Sequence, residues 1–233
     1  MKRAAIPELL DSDAGTPSEI AVSLSDLNRI NRWFGGIATT DFLVRQVARE
    51  LGLRSLSLLE VAAGAGAVPE AVAAALAQTG IQVEVTLLDR AATHLTNGNR
   101  RAVAGDALAL PFSDGSFDLV SCSLFVHHLP PDEVVRFVNE GLRVCRAAVL
   151  INDLIRHPAH LGLVFAGMPL YRSRITRHDA PASVRQAYTL DEMNDMLQRS
   201  QASRVEISRH FLFRMGVIAW KSALGAKQEP CTI

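Results

Sequence analysis

A chain of 233 residues, 48% hydrophobic and 21% charged, has ordinary globular composition and enough length for one well-buried α/β domain. Lys plus Arg and Asp plus Glu both number 24, so the net charge is zero, which supplies no long-range attraction to a polyanion and argues against a nucleic-acid partner. Cys122, Cys145 and Cys231 are too few and too scattered for a disulfide framework or zinc site, and no apolar run approaches the ~20 residues that cross a bilayer. The expected setting is a reducing cytoplasm, with no membrane insertion.

Residues 1–17 are polar and turn-rich, expected to be loosely held unless they pack over the body. From Ser25 the spacing predicts a helix with Leu27, Ile30, Trp33 and Phe34 near one face, stopped by Gly35–Gly36. A second helix is predicted from a Thr40 or Asp41 cap, with Phe42, Leu43, Val47, Ala48 and Leu51 as its apolar face and Gly52 at its end. Residues 1–52 thus read as an N-terminal helical cap segment and 53–233 as the main domain.

The period then changes. Residues 53–61, 83–89, 101–107, 116–126 and 147–154 read as strands, with helices at 69–80 and 131–144. A weak helical signal sits in the segment before 101. Strands alternating with helices predict a Rossmann-like, doubly wound parallel sheet with helices on both faces. Residues 155–188 break the alternation and read as a lid-like helical insertion. A helix at 189–200 follows, with Thr189 and Glu192 spaced as a capping box. Two strands, 205–213 and 216–222, close a seven-stranded sheet with an antiparallel C-terminal strand. The tail from Gly225 is expected to fray.

Ligands of such sheets bind at the carboxyl ends of the strands, where strand order reverses. Strand one ends in Glu60, followed by a turn of small residues, Ala62 to Ala67, with Gly64 and Gly66 allowing close backbone approach. The same turn also suits mere helix–strand packing. Strand two ends in Asp89, 23 residues after Gly66, close to the spacing at which an acid meets ribose hydroxyls. Asp106 follows strand three, placed to accept from an exocyclic amine. A dinucleotide fingerprint is incomplete, because Gly64-x-Gly66 is followed by Pro69 rather than a third glycine.

In this order and spacing, EVAAGAGAV, LLDR, GDALALPFSDGSFDLV and SLFVHHLP resemble the class I S-adenosylmethionine-dependent methyltransferases. The nearest flavour is the small-molecule group that includes ubiquinone/menaquinone-biosynthesis methyltransferases, over residues 55–155. The resemblance implies S-adenosylmethionine as cofactor. It places Glu60 toward the amino-acid end, Gly64 and Gly66 as the floor, Asp89 on the ribose, Asp106 on the adenine amine, and Ser123 and Leu124 beside the methionine portion. Ala62, Arg90 and Ala107 fall within the same motifs. Ala62 stands where that family most often has glycine, a methyl that a negative φ would accommodate.

A hydroxyl acceptor must lose a proton, and His127 or His128 at the rim is the candidate base. The alternative is a pair that only packs or solvates. Trp33, Phe34, Arg174 and His178 are the candidate acceptor contacts, the cap arginines serving an anionic or enolic oxygen. The expected reaction is O-methylation of a small, fairly apolar phenolic or polyketide-like metabolite. C-methylation of an activated ring, or an inactive binding or regulatory protein, is the alternative. No metal is expected, and a homodimer is left open.

Overall fold

The computed structural model describes residues 1–12, 14–91, 95 and 101–222. Its order is α1 (Pro17–Trp33), α2 (Gly36–Leu51), β1 (Ser55–Val61), α3 (Ala67–Ala77), β2 (Gln82–Asp89), β3 (Arg101–Ala104), β4 (Phe117–Ser123), α4 (Pro131–Val144) and β5 (Cys145–Leu154). Then come α5 (Pro158–Ala166), α6 (Arg174–Gln186), α7 (Leu190–Leu197), β6 (Arg204–His210) and β7 (Arg214–Trp220). The strands form one sheet in the order β3-β2-β1-β4-β5-β7-β6. Every pairing from β3 to β5 is parallel, and β7 runs antiparallel to both neighbours. This is the Rossmann-like, doubly wound arrangement expected from the alternation of periods.

Strand alternation sorts the core into two layers. Leu59 and Val61 of β1 face one way, onto Phe137 and Val138 of α4 and Met193 of α7. Leu56 and Leu58 face the other way, onto Leu43 and Val47 of α2 and Val72 of α3. Cys122 and Cys145 are buried thiols in the first layer. A third cluster, Val164, Tyr171 and Val184, joins α5 to α6 beside Ile30 of α1. All three lie within residues 155–188.

Several boundaries differ from the sequence expectation. The first helix begins at Pro17, not Ser25, under a Thr16–Glu19 capping box. Gly36 starts α2 rather than ending α1, and Gly35 at φ +80° makes the joint. Residues 1–12 do pack over the body. Arg3 donates to the carbonyls of Gln186, His127 and Leu129, and the Asp179 carboxylate takes the N–H groups of Leu9 and Leu10. Most of the weak helical signal before residue 101, and the tail beyond Ser222, lie outside the described residues.

Candidate active site

Strand order reverses between β1 and β4, and a cavity of about 960 Å³ opens at their carboxyl ends. Its floor is the turn from β1 into α3. Gly64 and Gly66 stand at φ +51° and +72°. A Cβ on Gly66 would lie 2.6 Å from the Leu87 side chain, so that position is confined to glycine; a Cβ on Gly64 would meet nothing within 4 Å. The bare backbone of Gly64 therefore faces open space. The Asp89 carboxylate braces the turn, accepting from the Gly64 N–H at 2.8 Å and the Ala91 N–H at 2.9 Å. A carboxylate has about four acceptor positions, so Asp89 retains capacity for hydroxyls.

Glu60, Ala62, Gly64, Asp89, Arg90, Asp106, Ala107, Ser123 and Leu124 all line this cavity, and Gly66 caps α3 directly beside it. Asp106 is exposed at the rim and takes the Leu108 N–H at 2.9 Å. The negative φ that would accommodate Ala62 is not found: it sits at φ +53°, and Leu124 at +57°. Both are L-residues in the left-handed region, at the two turns flanking the cavity.

Glu60 is 1% exposed and its carboxyl is bonded by the Ser121 hydroxyl. Burial drives its pKa up to about 7, against the lowering effect of hydrogen bonds from Ser121 and Ser123. The group is poised between acid and carboxylate near neutral pH.

His127 and His128 lie in the single 3-10 turn after β4 (Val126–His128). His127 is buried, with Nδ1 2.7 Å from Asp153 Oδ1. Burial alone would lower its pKa, but the Asp153 and Glu8 carboxylates raise it to about 10. The ring is held as an imidazolium, which is unsuited to remove a proton. His128 is partly exposed, with Nδ1 2.9 Å from Asp11 Oδ2.

The far end of the cavity is walled by Ile30, Val164, Tyr171 and Val184, with His160 and Arg214 among them. Arg214, on β7, is 1% exposed. It donates to Asn31 Oδ1 at 2.9 Å, the Phe34 carbonyl at 3.3 Å and Asn152 Oδ1 at 3.4 Å, and forms no ion pair among the described residues. Burial lowers its pKa to about 10 despite the attraction of Asp153.

The residues expected to touch the acceptor lie elsewhere. Trp33 is 60% exposed, Arg174 pairs with Glu19, His178 pairs with Asp179, and none of these lines the cavity. Phe34 contributes only its carbonyl, to Arg214. Two other arginines of the same stretch are also engaged, Arg156 with Glu192 and Arg177 with the Tyr171 carbonyl. Sequence reasoning passed over Arg214 by reading it as a turn; a lone arginine entering the apolar run of residues 215–220 was the available signal. Glu8, Asp11 and Asn31 carried none, because their partners are more than a hundred residues away.

Residues 59–151 match a family described as a methyltransferase domain. Over 94 residues the chain is 39% identical to demethylmenaquinone methyltransferase of Beutenbergia cavernae, covering 38% of this chain and 36% of that protein. The chain thus matches about a third of the length of that curated relative. Among solved structures, a SAM-dependent methyltransferase from Aquifex aeolicus superposes with TM-score 0.51 at 18% identity, over 76% of this chain and 88% of that one. Magnesium protoporphyrin IX methyltransferase of Synechocystis PCC 6803 gives 0.51 at 14%, over 81% and 80%. The residues present fit the cofactor of this class: the bare backbone at Gly64, the unfilled acceptor positions of Asp89 and the ionisable Glu60 share one cavity. Residues 59–151 thus match the methyltransferase-domain family, and the sheet has the fold of SAM-dependent methyltransferases of known structure.

Proposed function

We propose that the chain methylates a hydroxyl of a small, fairly apolar metabolite of phenolic or polyketide-like type. The observation that carries this reading is the continuity of one cavity, from Asp89, Asp106 and Gly64 at one end to an apolar chamber holding Arg214 at the other. S-adenosylmethionine, when bound, supplies a methyl group on a positively charged sulfur. The work of the chain is then alignment and exclusion of water. Asp89 holds ribose hydroxyls, Asp106 meets the adenine amine, and Glu60 as a carboxylate faces the ammonium of the amino-acid end. The name of the Beutenbergia cavernae relative, which specifies demethylmenaquinone, supports a small-molecule acceptor.

Ile30, Val164 and Tyr171 give the acceptor ring an apolar bed, and Arg214 gives an oxygen of partial negative charge its counterion. A guanidinium buried without a carboxylate is costly unless some other anion or dipole meets it. The test is transfer of labelled methyl from the cofactor to a panel of phenols, hydroxypyrones and matched O-blocked analogues. O-methyl products that disappear with the blocked analogues support the reading. Label on ring carbon, or no transfer to any member, overturns it.

A further inference from the structure

We infer that Glu8, His127 and His128 form a binding site for a divalent transition cation of the zinc type. One donor atom from each residue lies within 4.8 Å of the other two. The His127 side chain is 3% exposed, and its Nε2 is buried with no hydrogen-bond partner. Glu8 Oε1 faces that nitrogen at 3.5 Å, and a bound cation would take the place of the Nε2 proton that the neighbouring carboxylates favour in its absence. That separation is too long for an N–H···O bond and leaves no room for a water between. Metal bonds of about 2.0–2.2 Å meeting at a tetrahedral angle put two ligand atoms about 3.4 Å apart. The spacing suits two ligands of one ion.

The surroundings of the three residues match this assignment. Metal-ligating histidines donate their second ring nitrogen to a carboxylate that fixes the ring. Both histidines have one: Asp153 Oδ1 lies 2.7 Å from His127 Nδ1, and Asp11 Oδ2 lies 2.9 Å from His128 Nδ1. Glu8 Oε1 is itself oriented by the Ser183 hydroxyl at 2.7 Å and the Gln186 amide at 3.0 Å. All three residues line the cavity, so the remaining coordination positions are open to it. Two imidazoles and one carboxylate suit zinc, cobalt(II) or manganese rather than calcium or magnesium. An ion held there would lower the pKa of an acceptor hydroxyl; that role rests on the reading above, whereas binding of the ion does not.

The direct test uses the full chain and the metal alone. Purified protein, stripped with a chelator, is titrated with cobalt(II) while its visible absorption is read, and with zinc by calorimetry. Saturation at one ion per chain with the intense visible bands of a four- or five-coordinate site is expected. Glu8→Gln keeps the hydrogen bonds to Ser183 and Gln186, and His128→Asn is at the partly exposed ring; each should weaken binding at least tenfold. Asp11→Asn, which only releases the His128 ring, should weaken it by about 10–100-fold. Absence of one-to-one binding near neutral pH overturns the site. Binding that survives Glu8→Gln and His128→Asn unchanged also overturns it, since the ion is then held elsewhere. No acceptor or methyl transfer enters these readouts, so failure of the site and failure of the proposed reaction are separable.

Discussion

Ala62 stands at φ +53° in the turn that carries the cavity floor, where an L-residue costs about 1–2 kcal/mol relative to the right-handed region. Glycine relieves that strain and gives back part of the gain as unfolded-state entropy. Ala62→Gly is expected to stabilise the chain by about 0.5–1 kcal/mol, read as a higher urea midpoint at unchanged slope; a lower midpoint would show that the methyl is packed rather than strained. Glu60 offers a pH test at the same scale. Its folded pKa of about 7 lies above the model-peptide value of 4.5, so between these values the folded state keeps a proton that the unfolded chain has lost. Its contribution is fully present below about pH 4.5 and is lost as pH rises toward 7, for a total of roughly 3 kcal/mol. Glu60→Gln should therefore flatten the fall in melting temperature between mildly acidic and mildly alkaline buffer. An unchanged profile would mean that the carboxyl is ionised throughout.

At the scale of elements, the N-terminal strap decides whether the cavity has a roof. The Asp179 carboxylate on α6 takes the N–H groups of Leu9 and Leu10 at 2.8 and 3.0 Å, and Glu8 accepts from Ser183 and Gln186 of the same helix. Asp179→Ala leaves two N–H groups without their acceptor, at about 1–3 kcal/mol. Limited proteolysis of that variant should cut within residues 1–16 well before the body of the chain, whereas the wild-type strap should resist. Equal cutting rates would show that Arg3 and Glu8 hold it without Asp179. None of this strap was legible in the sequence, because irregular backbone leaves no period to read. The start of α1 was missed for a related reason. Its buried residues are Ser23, Asp26 and Asn31, so apolar periodicity cannot reveal the first two turns, although Thr16-Pro17-Ser18-Glu19 spells the cap. The strands and α4, mostly apolar where buried, were found to within three residues at each end.

The whole molecule divides its legibility along the cavity. The cofactor end is written in consecutive strand–turn units, Glu60 to Gly66, Asp89 and Asp106, so topology alone brings these residues together. The acceptor end is assembled from Ile30, Val164, Tyr171 and Arg214, on four elements with no common motif, and only the packed structure joins them. The cofactor end touches β1, β2 and β3 and the entry to α3, elements of both core layers, so a ligand there is linked to unfolding of the entire sheet. At a hundredfold excess over its dissociation constant, S-adenosylmethionine should add about 2.7 kcal/mol of stability. For a chain of this length that is roughly 5–10 °C in melting temperature. Asp89→Ala removes the proposed ribose acceptor and the brace on Gly64; a tenfold loss of affinity would halve the shift at the same ligand concentration. A wild-type melting temperature indifferent to the cofactor would remove methyl transfer from consideration. A shift of the same size in Asp89→Ala would instead leave the cofactor in place and take Asp89 out of its site.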